Sequence, residues 1–247
     1  MAKHWSETLS AVVGHVRRIL LCGEPGTGKT SYAFKLAHDS KRPVERVTLC
    51  AGMFSDALLG KYLLREGSTV WVDGPAVRAM RQGGVLLLDE IADAGPEIQS
   101  TLRAILDDEN VCTITLDNGD TVKPKQGFSI IATMNGEVQS LLPALLDRFD
   151  VVLAHCDTPN PGIADAISNA GVAAYIRNSA GNAEDRANEW RPAITTRRLI
   201  AFSRLATAIE MVDAAEIVFG PSQAETILTA LVDAERNTGK GAGKKTR

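Results

Sequence analysis

Eight residues, Gly23-Glu24-Pro25-Gly26-Thr27-Gly28-Lys29-Thr30, constrain this chain more than any other stretch. They satisfy every fixed position of the pattern G-x-x-x-x-G-K-[ST], in which backbone N–H groups converge on phosphate oxygens. Such convergence needs glycine, because Cβ atoms would crowd the anion and block the positive-φ conformations of a tight loop. Lys29 offers a mobile positive charge for β/γ-phosphates, and the Thr30 hydroxyl a ligand for Mg²⁺. The flanks fit: Arg18 to Cys22 reads as a short apolar strand, and Ser31 to His38 as a helix whose N-terminal dipole faces the same anion. The implication is a nucleoside triphosphate, bound by Gly23 through Ser31.

The bulk numbers describe an ordinary globular chain. At 247 residues it suits one large domain plus a smaller one, with 45% hydrophobic and 23% charged residues. A net charge of −3 argues against bulk nucleic-acid binding but leaves room for a local basic channel. Cys22, Cys50, Cys112 and Cys156 are scattered, without C-x-x-C spacing, and read as buried free thiols of a reducing cytoplasm. Lys3, His4 and Glu7 do not resemble a signal peptide, and no apolar run reaches the length that spans a membrane.

Residues 1 to about 17 are expected as a helical or irregular lead-in whose Trp5 packs on the body or on a neighbouring subunit. After the phosphate loop, Val44 to Cys50 forms a second apolar run. Ser55 to Leu64 looks helical, and Val70 and Val72 alternate as a strand entered through a turn. Pro75 restarts a helix that Gly83-Gly84 stops, so 55–82 reads as a helix interrupted by a small β insertion. Val85-Leu86-Leu87-Leu88 is unbroken and apolar, as in a central parallel strand. A helix from Pro96, an Asn118-Gly119 hairpin between 111–116 and 121–125, and strands at 128–132 and 151–154 complete the alternation. The fold class is therefore α/β, a P-loop domain with a five-stranded, mostly parallel sheet over residues 1–156. Helical patterns at 163–178, 196–212 and 222–236 form a second domain over 157–236, a C-terminal helical lid. Residues 237–247 are Gly-rich and basic and read as a disordered tail.

Asp89-Glu90 discriminates among the enzymes that share such a loop. Ligands of open α/β sheets sit beyond the carboxyl ends of strands, which puts Asp89 beside the phosphate loop as a Mg²⁺ ligand through water. Glu90, one residue on, is suited to polarising an attacking water, a carboxylate that a kinase does not need. Asn135 ends the next apolar strand and is either a turn residue or a second group that orients the water. Arg148 is either a surface ion-pair partner or a group aimed at phosphate, and Arg197, with Arg198 beside it, starts a helix of the lid.

With these residues assembled, the chain resembles AAA+ ATPases of the MoxR-type branch, the group with CbbQ- and NorQ-like proteins, over roughly residues 10–205. Gly23–Thr30 is similar to Walker A, and Val85–Glu90 to Walker B. The segment from Trp71 to Met80 resembles the branch's helix-2 insertion, and the Asn118-Gly119 hairpin its hairpin before sensor 1. Ile131-Ala132-Thr133-Met134-Asn135 resembles the sensor 1 strand, Leu145 to Asp150 the arginine-finger segment, and Thr195 to Leu199 the sensor 2 helix, where Arg197 matches best. The resemblance implies ATP and Mg²⁺ as cofactors and a homo-oligomeric, usually hexameric, ring. Arg148 would act on a neighbour's γ-phosphate, and a hinge near 155–162 would turn the lid. It also implies a protein client and an adaptor with a von Willebrand factor A domain.

Three roles compete for the assembled machine. A chaperone-like remodelling ATPase acting on a protein, with activation of a metal centre or cofactor as one such task, stands first. A nucleic-acid-directed motor stands second, since the mixed signs of Lys61, Arg65, Glu66, Asp73, Asp117, Asp120, Lys123 and Lys125 do not make a basic pore. A chelatase-type subunit stands third.

Overall fold

The computed structural model of the chain describes residues 4–108, 110–154, 156, 159–181 and 195–241. The chain enters through α1 (Trp5–Val12) and continues with β1 (Arg18–Gly23), α2 (Lys29–Asp39), β2 (Val44–Thr48) and α3 (Asp56–Leu59). A hairpin of β3 (Gly60–Arg65) and β4 (Ser68–Asp73) leads to α4 (Pro75–Gln82), β5 (Val85–Asp89) and α5 (Pro96–Ile105). A second, short hairpin, β6 (Ile114–Thr115) and β7 (Thr121–Val122), precedes β8 (Ser129–Asn135), α6 (Pro143–Leu146) and β9 (Val151–Leu153). Then come α7 (Ala170–Gly181), α8 (Thr196–Leu205), α9 (Met211–Phe219) and α10 (Pro221–Gly241).

Five strands form one sheet in the order β2-β5-β8-β1-β9, and every neighbouring pair is parallel. The expected five-stranded parallel architecture is met. Strand parity then divides the side chains between two cores. Leu20, Cys22, Leu86, Leu88, Ile130 and Ala132 join the cluster that holds Met80 of α4 and Ile98 of α5. Ile19, Leu21, Val85, Leu87 and Ile131 join the opposite cluster with Trp5 and Leu9 of α1 and Ala33 of α2. Both faces are covered, which is why these strands read as unbroken apolar runs. Trp5 is accordingly a core residue of its own chain, 5.9 Å from Tyr32 in an edge-on contact. Cys22, Cys112 and Cys156 are buried free thiols as expected, whereas Cys50 is exposed.

Contacts group the described residues into two units, 4–23 with 29–156, and 24–28 with 159–241. In the second, Val172, Ile176, Leu199, Phe202, Phe219 and Ile227 share one core. Thr195 caps α8, its hydroxyl accepting from Arg198 N–H. The loop Glu24–Gly28 belongs to this unit: the Thr27 carbonyl accepts from Asn160 N–H at 3.1 Å and the Gly26 carbonyl from Thr196 N–H at 3.2 Å. Gly26 and Gly28 have φ of +78° and +90°, and a Cβ on Gly26 would lie 2.6 Å from Thr195 Cβ. Conformation and space both demand glycine there.

Several local expectations change. The helix expected over 55–64 ends at Leu59, because Gly60 at φ +127° breaks it, and 60–65 pair antiparallel with 68–73. Glu66 and Gly67 connect these strands with φ of +49° and +80°, the two-residue turn that suits a twisted hairpin. The interruption between two helices is thus a full β-hairpin. The Asn118-Gly119 hairpin exists but is shorter than expected. Gly119 alone has positive φ, while Asn118 Oδ1 accepts from Asp120 N–H. The helix expected over 196–212 is two elements, since α8 stops at Leu205 and α9 starts at Met211. Helix α10 runs to Gly241, past the Asn237 expected to begin the tail, because extending a packed helix costs far less than nucleating one. Residues 242–247, most of the expected loop 179–188, and His155, Asp157 and Thr158 of the expected hinge lie outside the described residues. Among the described residues, no helix is long and apolar enough to cross a membrane.

Candidate functional site

Parity that sends Leu87 and Ile131 towards α2 also sends Asp89 and Thr133, two residues further along β5 and β8, to the same side. There they meet the first turn of α2. Thr30 Oγ1 donates to Asp89 Oδ1 at 2.6 Å, and Thr133 Oγ1 donates to the same oxygen. The other oxygen, Oδ2, accepts from Arg46 Nη2 of β2 at 2.8 Å. Asp89 is 8% exposed. Burial by itself would raise its pKa, but the bonds from Thr133, Thr30 and Arg46 and the Arg46 charge outweigh it and hold the carboxyl below its ordinary value. A buried, ionised carboxylate beside a hydroxyl is a set of hard oxygen donors, which is the chemistry Mg²⁺ selects.

A second chain of polar contacts runs beside the first. Lys29 Nζ donates to the Gly23 carbonyl at 2.9 Å and to Asn135 Oδ1 at 3.2 Å. Asn135 Nδ2 in turn donates to Glu90 Oε1 at 2.6 Å. An amide placed between an ammonium and a carboxylate can face only one way, oxygen to Lys29 and nitrogen to Glu90.

Glu90 reaches this chain by leaving the strand. An extended continuation of β5 would turn it to the face of Leu86 and Leu88. Instead it adopts φ 57° and ψ 50°, a left-handed conformation that costs a non-glycine residue about 1–2 kcal/mol. Backbone strain of this kind concentrates at functional positions. The Glu90 pKa is raised, first by burial and then by the charges of Asp89 and Asp93, against the opposing pull of Lys29 and Asn135. That is the direction a proton-accepting carboxylate needs for work near neutral pH.

The structure therefore brings together Lys29, Thr30, Asp89, Glu90 and Asn135. Ser31 is exposed in the first turn of α2, next to Thr30. Arg148 sits elsewhere, donating to the carbonyls of Arg103 at 3.0 Å and Ala144 at 2.6 Å. Its segment is pinned by Asp150, which accepts from the backbone N–H groups of Arg17 and Arg18 and pairs with the Arg18 guanidinium at 2.5 Å. Arg148 thus lies near the start of β1, while Gly23 is at its end, and five strand steps of about 3.3 Å separate those ends. Arg197 is exposed in the first turn of α8 in the second unit.

Sequence reasoning missed Thr133 and Arg46. Parity from Ile131 could have found Thr133. Arg46 required the register between β2 and β5, which pairs it with Leu87 and places it diagonal to Asp89.

The AAA domain of the dynein-related subfamily matches residues 18–149, more than half of the chain. The chain belongs to the AAA family. Protein NorQ of Paracoccus denitrificans is 33% identical over 147 residues, covering 58% of this chain and 53% of NorQ. The denitrification regulatory protein NirQ of Stutzerimonas stutzeri is 31% identical over 139 residues, covering 55% and 50%. An uncharacterised protein of Staphylococcus epidermidis is 35% identical over 144 residues, covering 55% and 54%. The chain spans about half the length of the curated relatives it matches. These likenesses place this AAA domain in the MoxR-type, NorQ-like branch.

Proposed function

We propose that the chain hydrolyses ATP with Mg²⁺ at the carboxyl ends of β1, β5 and β8, and that it does so as one subunit of a ring, hexameric in the usual AAA+ manner. The observation that carries this reading is the pair of polar chains just described, Thr30–Asp89–Thr133 and Lys29–Asn135–Glu90. In this reading Gly23 to Gly28 hold the phosphates by backbone N–H groups, and Lys29 pairs with the β/γ-oxygens. Thr30 and Asp89 hold the cation, which when bound neutralises charge on those oxygens. Glu90 accepts a hydrogen bond from a water and so raises that water's nucleophilicity, while Asn135 fixes the carboxylate and keeps Lys29 in register.

Arg148 has the opposite end of β1 beneath it, so it acts on the nucleotide of the next subunit rather than its own. Arg197 serves as the lid's contact to phosphate. The likeness to a protein named as a denitrification regulator favours a regulatory or activating ATPase. The client is a protein presented by a von Willebrand A-type adaptor, and activation of its metal centre or cofactor is the task that fits a regulatory ATPase. The mixed charges of both hairpins favour that client over a nucleic acid.

The test is Glu90→Gln. Binding of a fluorescent ATP analogue should stay within a few-fold of the original, while turnover falls by about 10²–10⁴, the usual contribution of a positioned base. Turnover near the original rate would remove Glu90 from this role, and loss of nucleotide binding by Lys29→Ala would be expected in parallel.

A further inference from the structure

Asp89 has two oxygens, and the structure treats them differently. Oδ1 takes both threonine hydroxyls, whereas Oδ2 takes the guanidinium of Arg46 at 2.8 Å. The two partners of this ion pair are also unequal in solvent access: the Asp89 side chain is 11% exposed and that of Arg46 49%. The arrangement follows from β2. Alternation turns Glu45 to the other face, where it receives two bonds from Arg78 at 2.8 and 2.7 Å, and leaves Arg46 on the face of Asp89. Register sets Arg46 against Leu87, two residues before the carboxylate, within reach of a long side chain on a diagonal.

We propose that Arg46 is a built-in competitor of the divalent cation for Asp89, and that it sets the Mg²⁺ concentration at which the site fills. This rests on the reading of Thr30 and Asp89 as the cation's ligands. A guanidinium on Oδ2 neutralises much of the charge that would draw Mg²⁺ in, and its own positive charge opposes a second cation close by. Arg46 is therefore a positioning residue that acts through Asp89. Because one partner is half exposed, the effect is of the size of a solvent-screened pair, about two- to fivefold in a binding constant.

The experiment titrates Mg²⁺ into the full chain with a fluorescent ATP analogue and reads the half-saturating Mg²⁺ concentration, so hydrolysis is not required. Arg46→Gln should lower that concentration about two- to fivefold, and Arg46→Lys, which keeps a charge, should stay nearer the original. Arg46→Met keeps the apolar stem and should shift the same way as Gln, which covers the case of poor folding in either variant. Asp89→Asn is the control for the underlying reading and should raise the Mg²⁺ requirement. If Asp89→Asn leaves the requirement unchanged, the placement of the cation is wrong. If Asp89→Asn raises it while Arg46→Gln and Arg46→Met leave it unchanged or raise it, the competitor role alone is overturned.

Discussion

Asn135 donates to Glu90 at 2.6 Å, although an extended continuation of β5 would turn Glu90 to the opposite face of the sheet. The contact exists because Glu90 gives up extended backbone for a left-handed turn that swings its carboxylate towards β8. Removing either residue therefore does more than delete one hydrogen bond.

Asn135→Ala should lower kcat by about 10²–10³, the scale of losing one preorganised polar group. It frees the Glu90 carboxylate and one bond of Lys29 together, yet leaves the Thr30–Asp89 pair intact. Nucleotide affinity should thus change by only a few-fold. Steady-state kinetics beside equilibrium binding separates the two, and an equal loss in both would contradict this arrangement.

Thr133→Val keeps shape and removes one donor from a buried carboxylate. Stability should fall by about 1–3 kcal/mol in urea unfolding, since Asp89 loses a partner it cannot replace with water. Thr133→Ser, which restores a hydroxyl, should recover most of that loss.

The adjacent carboxylates should respond to pH in opposite senses. Folding lowers the Asp89 pKa, so its stabilising contribution is present above its ordinary value of 3.8 and is lost as pH falls through the lower folded value. Folding raises the Glu90 pKa, so its contribution is present below its ordinary value of 4.5 and is lost as pH rises through the raised value. Glu90→Gln should therefore stabilise the protein relative to the original at neutral pH, and this advantage should shrink as pH falls through the raised folded value and be gone below 4.5. Denaturant midpoints at several pH values check the sign. In turnover, the acid limb set by Glu90 should lie above the ordinary glutamate value of 4.5.

Arg148→Ala and Glu90→Gln are each expected to be nearly inactive alone. Mixed rings should regain part of the activity, because some interfaces would join an intact Glu90 to an intact Arg148 of the neighbour. Arg148 also ties down the Arg103 and Ala144 carbonyls, so each variant's melting temperature must be read alongside. No recovery in stable mixed rings would place Arg148 outside catalysis.

Glu66→Asn should stabilise the β3–β4 hairpin, by up to about 1 kcal/mol. Glu66 holds φ +49° next to Gly67, and Asn tolerates that conformation better in a turn of this type. Amide hydrogen exchange across the hairpin measures the gain locally, and faster exchange in the variant would refute it.

The sheet and Asp89 at the end of β5 were legible because unbroken apolar runs are local signals, and Lys29 and Thr30 because the phosphate-loop pattern is contiguous, whereas Asn135 stood out from an ordinary turn residue only through the family resemblance. Arg46 was not, since nothing in Val44-Glu45-Arg46-Val47-Thr48 says which strand lies alongside. The β3 strand was misread because Tyr62-Leu63-Leu64 suits a helix as well as a strand, and only Gly60 and the pairing with β4 decide. The break between α8 and α9 carries no glycine or proline. Glu210 caps α9 without a side-chain bond, so periodicity runs on across it.

Arg81 of α4 pairs with Asp73 at 3.0 Å and with Asp120 at 2.9 Å, the first at the foot of the β3–β4 hairpin and the second at the turn of β6–β7. The Lys125 N–H bond to the Met80 carbonyl, at 2.9 Å, anchors the second hairpin to the same helix. Two protrusions far apart in sequence are thus bolted to one beam. A load placed on either is shared by the other, and a tilt of α4 moves both as one jaw.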